Sequence, residues 1–125
     1  TAPEAAVAAL EAFRGSVATL IAGGHDRGYD FAPLVEAILA DGIATVACVP
    51  PSGLRLARDL RARAGSGGPR VVEAGDLAEA VALAREATPS GRTCLFSPAS
   101  PSYGAFRDFK ERGEAFRRLV AGGAP

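Results

Sequence analysis

Ser97, Ser100 and Ser102 fall inside Leu95-Phe-Ser-Pro-Ala-Ser-Pro-Ser102, where an apolar run breaks into hydroxyls spaced by Pro98 and Pro101. Hydroxyl donors on a stiffened backbone, followed by a helix whose first amides point back toward them, suit an anion. A serine nucleophile is the competing reading. No glycine-flanked elbow and no base with an orienting carboxylate accompanies these serines, so hydroxyls that bind or cap are expected instead.

A second cluster is Gly23-Gly-His-Asp-Arg-Gly-Tyr-Asp30. Gly23, Gly24 and Gly28 would let backbone amides approach a ligand, or would serve only a tight turn. Arg27 can grip a carboxylate with two parallel hydrogen bonds, or can pair with its neighbours Asp26 or Asp30. His25 is the single histidine, and with no second histidine or cysteine at ligand spacing no metal site is expected. There is no G-x-x-x-x-G-K-[ST] loop, so any triphosphate chemistry must come from elsewhere.

These residues have to be positioned by a small chain. At 125 residues it fits one domain with a core that needs no disulfide or metal staple. The 14 basic and 14 acidic residues cancel, which removes the global field that nucleic acid or an anionic membrane would favour; a small-molecule partner and a monomer are expected. Cys48 and Cys94 each lie in an apolar run and read as buried free thiols of a reduced, cytoplasmic protein. No apolar stretch reaches the roughly 18 residues of a membrane span, and the amino end lacks a signal-peptide profile. The chain contains no methionine, so Thr1 is expected to be an internal residue of a longer protein.

Hydrophobic periodicity alternates between helix and strand. Residues 2–13 read as a helix opened by Thr1 and Glu4 in capping-box spacing, and 16–22 as a continuous apolar strand. Asp30 is placed to cap a helix carrying Leu34, Val35, Ile38 and Leu39, before a strand over 43–49. Pro50-Pro51-Ser52 opens a third helix, with Leu56, Ala57, Leu60 and Ala64 inward and Arg55, Arg58, Asp59 and Arg63 on a solvated face to which no function is assigned. A surface loop over 65–69, a strand over 70–73, a helix capped by Asp76 and Glu79, and a last strand over 93–96 follow. The closing helix is expected to bury Phe106, Phe109, Phe116, Leu119 and Val120 along one stripe.

Apolar strands joined by helices imply a Rossmann-like α/β domain: a mostly parallel sheet of about four strands with helices on both faces and right-handed crossovers. In the doubly wound order 3-2-1-4, the first and fourth strands are neighbours, and a ligand belongs at the switch point between them, outside their carboxyl ends. Both unusual loops then share one crevice, and the amino end of the first helix brings Thr1 to the same rim.

The three blocks Thr1-Ala-Pro-Glu-Ala5, Ile21-Ala-Gly-Gly-His-Asp-Arg-Gly-Tyr-Asp-Phe31 and Leu95-Phe-Ser-Pro-Ala-Ser-Pro-Ser102, the last continuing through Phe106-Arg-Asp-Phe-Lys-Glu-Arg-Gly113, resemble the C-terminal domain of the Mur ligases, nearest to the branch that adds glutamate. The resemblance covers nearly the whole chain. It implies a three-domain, cytoplasmic, peptidoglycan-forming ligase, serving cell shape and division, in which ATP with Mg, held mainly by a central domain, activates the carboxylate of UDP-N-acetylmuramoyl-L-alanine. The glutamate amine then attacks. It also implies a glutamate clamp. Thr1 stands where the family ends an Asp-Ser-Lys-Ala-Thr-like motif, and Arg27 stands where a lysine is usual, exchanging a point donor for a planar fork. Ser102 matches a carboxylate-binding serine, and Phe109 the residue that offers its backbone amide. The Asp-Asn-Pro-Arg signature of diaminopimelate- or lysine-adding relatives is missing, so glutamate is the expected substrate. On this view the chain has no catalytic residue of its own and should not act alone. The alternative from another class is a stand-alone Rossmann-type binding or regulatory module for a small dicarboxylate or nucleotide.

Overall fold

The structure, a computed structural model, describes residues 2–122. The chain runs α1 (Pro3–Ala12), β1 (Val17–Gly23), α2 (Ala32–Asp41), β2 (Thr45–Val49), α3 (Ser52–Ala64), a 3-10 turn (Gly65–Gly67), β3 (Arg70–Glu73), α4 (Leu77–Ala87), β4 (Thr93–Phe96) and α5 (Phe109–Val120). The strands form a single sheet in the order β3-β2-β1-β4, every pair parallel. This is the α/β Rossmann-like arrangement expected from the alternation of periods.

The period of two along β1 and β2 divides the core between the sheet faces. Leu20, Ala22, Val46 and Cys48 pack with α1, α2 and α3, while Ile21 and Ala47 pack with α4 and α5. Only these central strands are closed off on both sides; β3 and β4, as edges, are half-buried or exposed. Cys94 is therefore half-buried, contrary to the expectation for both thiols, while Cys48 is fully buried and its thiol is pushed up to about 12 by burial.

Several boundaries depart from expectation for local reasons. The N-cap of α1 is Ala2, with no side-chain cap, and Thr1, half of the expected capping box, lies outside the described residues. Asp30 serves α2 from one position before the N-cap, accepting from the Ala32 amide at 2.9 Å. β2 starts at Thr45 because Gly42 and Ile43 turn back to end α2: Gly42 takes φ 67°, and the Ile43 amide donates to the Ile38 carbonyl at 3.4 Å. α4 opens as expected, with Asp76 accepting from the Glu79 amide at 2.9 Å.

The aromatic stripe of the last helix is only partly realised. Phe106, Phe116 and Leu119 pack against the second core cluster, and Phe116 stacks on Phe96 at 4.4 Å. Phe109 is 62% exposed and Val120 50% exposed. Asp108 fixes the phase of α5 by accepting from the Glu111 amide at 2.9 Å, and that phase turns Phe109 outward.

Candidate functional site at the sheet switch point

The carboxyl ends of β1, β2 and β4 open onto a crevice of about 290 Å³, lined by Gly23, Gly24, His25, Ser102, Tyr103 and Arg112 among others. Three loops are knitted together beneath it. The Gly23 amide donates to the Pro98 carbonyl at 2.7 Å, and the His25 amide to the Pro101 carbonyl at 2.9 Å. The Gly24 amide donates to Ser52 Oγ at 2.9 Å, and Ser52 Oγ lies 2.6 Å from Ser100 Oγ. The Ser52 amide returns a bond to the Gly24 carbonyl at 2.9 Å. Buried loop backbone needs this satisfaction, because each orphaned amide or carbonyl there costs about 1–3 kcal/mol.

Close approach explains both glycines. Gly23 takes φ 113°, and a Cβ there would collide with the Val49 carbonyl oxygen. A Cβ on Gly24 would lie 2.8 Å from the Pro101 carbonyl oxygen and 3.3 Å from Arg112 Nη1. Ala99, buried between the two prolines, holds φ 58°, a left-handed conformation that costs a non-glycine residue energy and is maintained by the surrounding bonds.

The three serines divide by role. Ser100 is buried and bonded to Ser52, so it is structural. Ser102 is 6% exposed and lines the crevice. Ser97 ends the strand pairing, its amide donating to the Ile21 carbonyl at 3.1 Å. Phe109 is the first residue of α5, where the backbone amide has no intrahelical acceptor.

Arg27 does not pair with Asp26. That carboxylate belongs to Arg55 of α3, which donates to it through Nε at 3.1 Å and Nη2 at 2.8 Å and to the Tyr29 carbonyl through Nη1 at 2.7 Å. The Arg55 guanidinium and the Gly28 amide together hold Asp26 down to about 2. Arg55 thus braces the glycine loop and does not simply belong to a solvated helix face. Arg27, with no salt bridge among the described residues, places its guanidinium 5.6 Å from the centre of the Tyr103 ring at the crevice mouth. His25 meets the same ring edge-on at 6.0 Å.

Of the expected clamp residues Ser102 alone lines the crevice; Arg27 touches it only through the Tyr103 ring, Phe109 is not among its lining residues, and Thr1 lies outside the described residues. Two participants were not anticipated. Ser52 reads in sequence as a helix start, and its place just after β2, beside the switch point, is the only clue to its bonding. Arg112 reads as one charge among several in α5, yet it is 6% exposed and donates to the Ser100 carbonyl at 2.7 Å. Among the described residues the crevice lining has no carboxylate. A groove of about 310 Å³ between α1 and α2 has the opposite character, with Glu11, Glu36 and Asp41 around Arg14. Among the described residues no group of three or more His, Cys, Asp and Glu side chains could hold a metal ion, and no helix is long and apolar enough to cross a membrane.

No family model matches the sequence. Among curated proteins, a UDP-N-acetylmuramoyl-L-alanine–L-glutamate ligase from Salinispora tropica is 47% identical over 122 residues, covering 96% of this chain and 26% of that protein. A protein of the same name from a Micromonospora species is 46% identical over 120 residues, with the same coverage of 96% and 26%. A UDP-N-acetylmuramoylalanine–D-glutamate ligase from Symbiobacterium thermophilum is 43% identical over 120 residues, again covering 96% of this chain and 26% of its own length. The chain spans about a quarter of the length of the curated relatives it matches.

Proposed function

This chain is homologous to the glutamate-adding Mur ligases over about a quarter of their length, and from that premise we propose that it is the domain that receives glutamate for addition to UDP-N-acetylmuramoyl-L-alanine. The observation that carries the proposal is a crevice at the switch point, with no carboxylate among its described lining residues, that is lined by Ser102 and by Tyr103, over whose ring Arg27 lies. Arg27, Ser102, the Phe109 amide and Thr1 would contribute to the clamp on the carboxylates of the amino acid. Holding both ends fixes the direction of the amine. Fixing that direction turns a bimolecular encounter into an attack within one complex, which removes several kcal/mol of barrier.

The sequence has no P-loop, and among the described residues no group of three or more His, Cys, Asp and Glu side chains could hold a metal ion, which supports placing the nucleotide and its metal elsewhere. ATP and Mg would act outside these residues, where the muramoyl-alanine carboxylate is activated. The domain's task is to present the nucleophilic amine, so by itself it should form no amide. Its workplace is cytoplasmic, in the synthesis of the cell-wall precursor.

Relatives of both hands, L-glutamate and D-glutamate ligases, share this degree of identity. The direct test is amide formation by a ligase carrying this chain, with each glutamate enantiomer and UDP-N-acetylmuramoyl-L-alanine. Turnover with one enantiomer supports the proposal. Turnover with neither, in an enzyme that still cleaves ATP in the presence of the nucleotide sugar, would contradict it.

A further inference from the structure

Arg112 is a cation with unspent hydrogen-bonding capacity in the lining of the crevice. It is 6% exposed, and among the described residues its side chain makes one hydrogen bond, to the Ser100 carbonyl at 2.7 Å. A guanidinium carries five N–H donors. Among the described residues no Arg112 nitrogen is both fully enclosed and without a partner, and the residue lines the open space of the crevice. No acidic residue among the described ones lines that space. Gly24 leaves the room: a Cβ there would sit 3.3 Å from Nη1. Burial without a counter-charge pulls the Arg112 pKa down, so an incoming anion would find a charge whose lost solvation it can replace.

We propose that Arg112 takes the side-chain carboxylate of the bound amino acid and thereby sets the preference for glutamate over its uncharged isostere glutamine. This rests on the glutamate assignment above and extends it. The amine that must meet the activated carboxyl sits beside the α-carboxylate, so that end of the ligand stays at the mouth, where Arg27 lies over Tyr103. The far carboxylate goes down, past Ser102, toward Arg112. A planar fork there matches a carboxylate in charge and in donor geometry, and it meets a neutral amide with half of its donors opposed by an NH2 group.

The test is a nitrogen-15 NMR titration of the 125-residue chain with each enantiomer of glutamate, then with glutamine of the better-bound hand. Wild-type protein should bind glutamate about tenfold or more tightly than glutamine, and the Arg112 Nε–H resonance should move with glutamate alone. Arg112→Gln and Arg112→Lys should bring the two affinities to within about threefold of one another, whereas Arg27→Ala should weaken both ligands alike and leave their ratio standing. If Arg112→Gln fails to fold, the wild-type Nε–H resonance decides. Variants that keep the wild-type ratio, equal binding of both ligands by wild type, or an unmoved Arg112 resonance at glutamate saturation would each overturn the Arg112 assignment alone. Wild-type protein that binds neither ligand would overturn the glutamate assignment of the crevice with it.

Discussion

Arg55 of α3 holds both carboxylate oxygens of Asp26, at 3.1 and 2.8 Å, across 29 residues of chain, with its guanidinium 4.3 Å from the centre of the Phe31 ring. That pairing occupies the acid next door to Arg27. It leaves Arg27 without a salt-bridge partner among the described residues and fixes the loop that carries it.

Asp26 should therefore shape the acid limb of stability. Its folded pKa of about 2 lies below the ordinary 3.8, so its contribution is fully present above about pH 4 and is lost as pH falls toward 2. Melting temperature measured from pH 6 to pH 2 should drop more steeply in wild type than in Asp26→Asn over the range below pH 4. Parallel curves would show that the Arg55 pair contributes nothing.

Ser52→Ala should cost about 1–3 kcal/mol in urea unfolding, because it strips the Gly24 amide of its acceptor and leaves the buried Ser100 hydroxyl without its partner. The Ser52→Ala/Ser100→Ala double variant should be less destabilised than the sum of the singles, since the second change removes a hydroxyl already orphaned. Strict additivity would mean that the two hydroxyls do not share a bond.

Gly23→Ala should be worse than either. A φ of 113° is strained for any residue with a Cβ, and the added carbon would meet the Val49 carbonyl oxygen in the floor of the sheet. A loss of about 3 kcal/mol or more is expected, read from the denaturation midpoint. Gly28→Ala, with φ 76° and open space around it, pays strain alone and should cost about 1–2 kcal/mol.

The strand order, and with it the meeting of the two loops, was legible because β1 and β2 are apolar on both faces and each is followed by a turn and a helical stripe. What escaped is rotational phase and long-range pairing. Phe109 looks like a core residue until the Asp108 cap fixes where α5 begins and turns it to solvent. Arg112, one turn into the same helix, looks solvated for the same reason and is in fact buried. A charged residue one turn past a cap, on a helix whose amino end faces the switch point, is the signal that could have marked it. Asp26 offered two arginines within reach of the fold, Arg27 beside it and Arg55 on α3, and only the packing of α3 against the loop chooses between them.

The central measurement is the glutamate KM of a ligase carrying this chain with Arg27→Ala. Loss of a charge-assisted grip on one carboxylate should raise it about tenfold or more, while the stability of the chain shifts by no more than about 0.5 kcal/mol, because Arg27 forms no salt bridge among the described residues. An unchanged glutamate KM in a correctly folded variant would contradict the placement of the amino acid in this crevice.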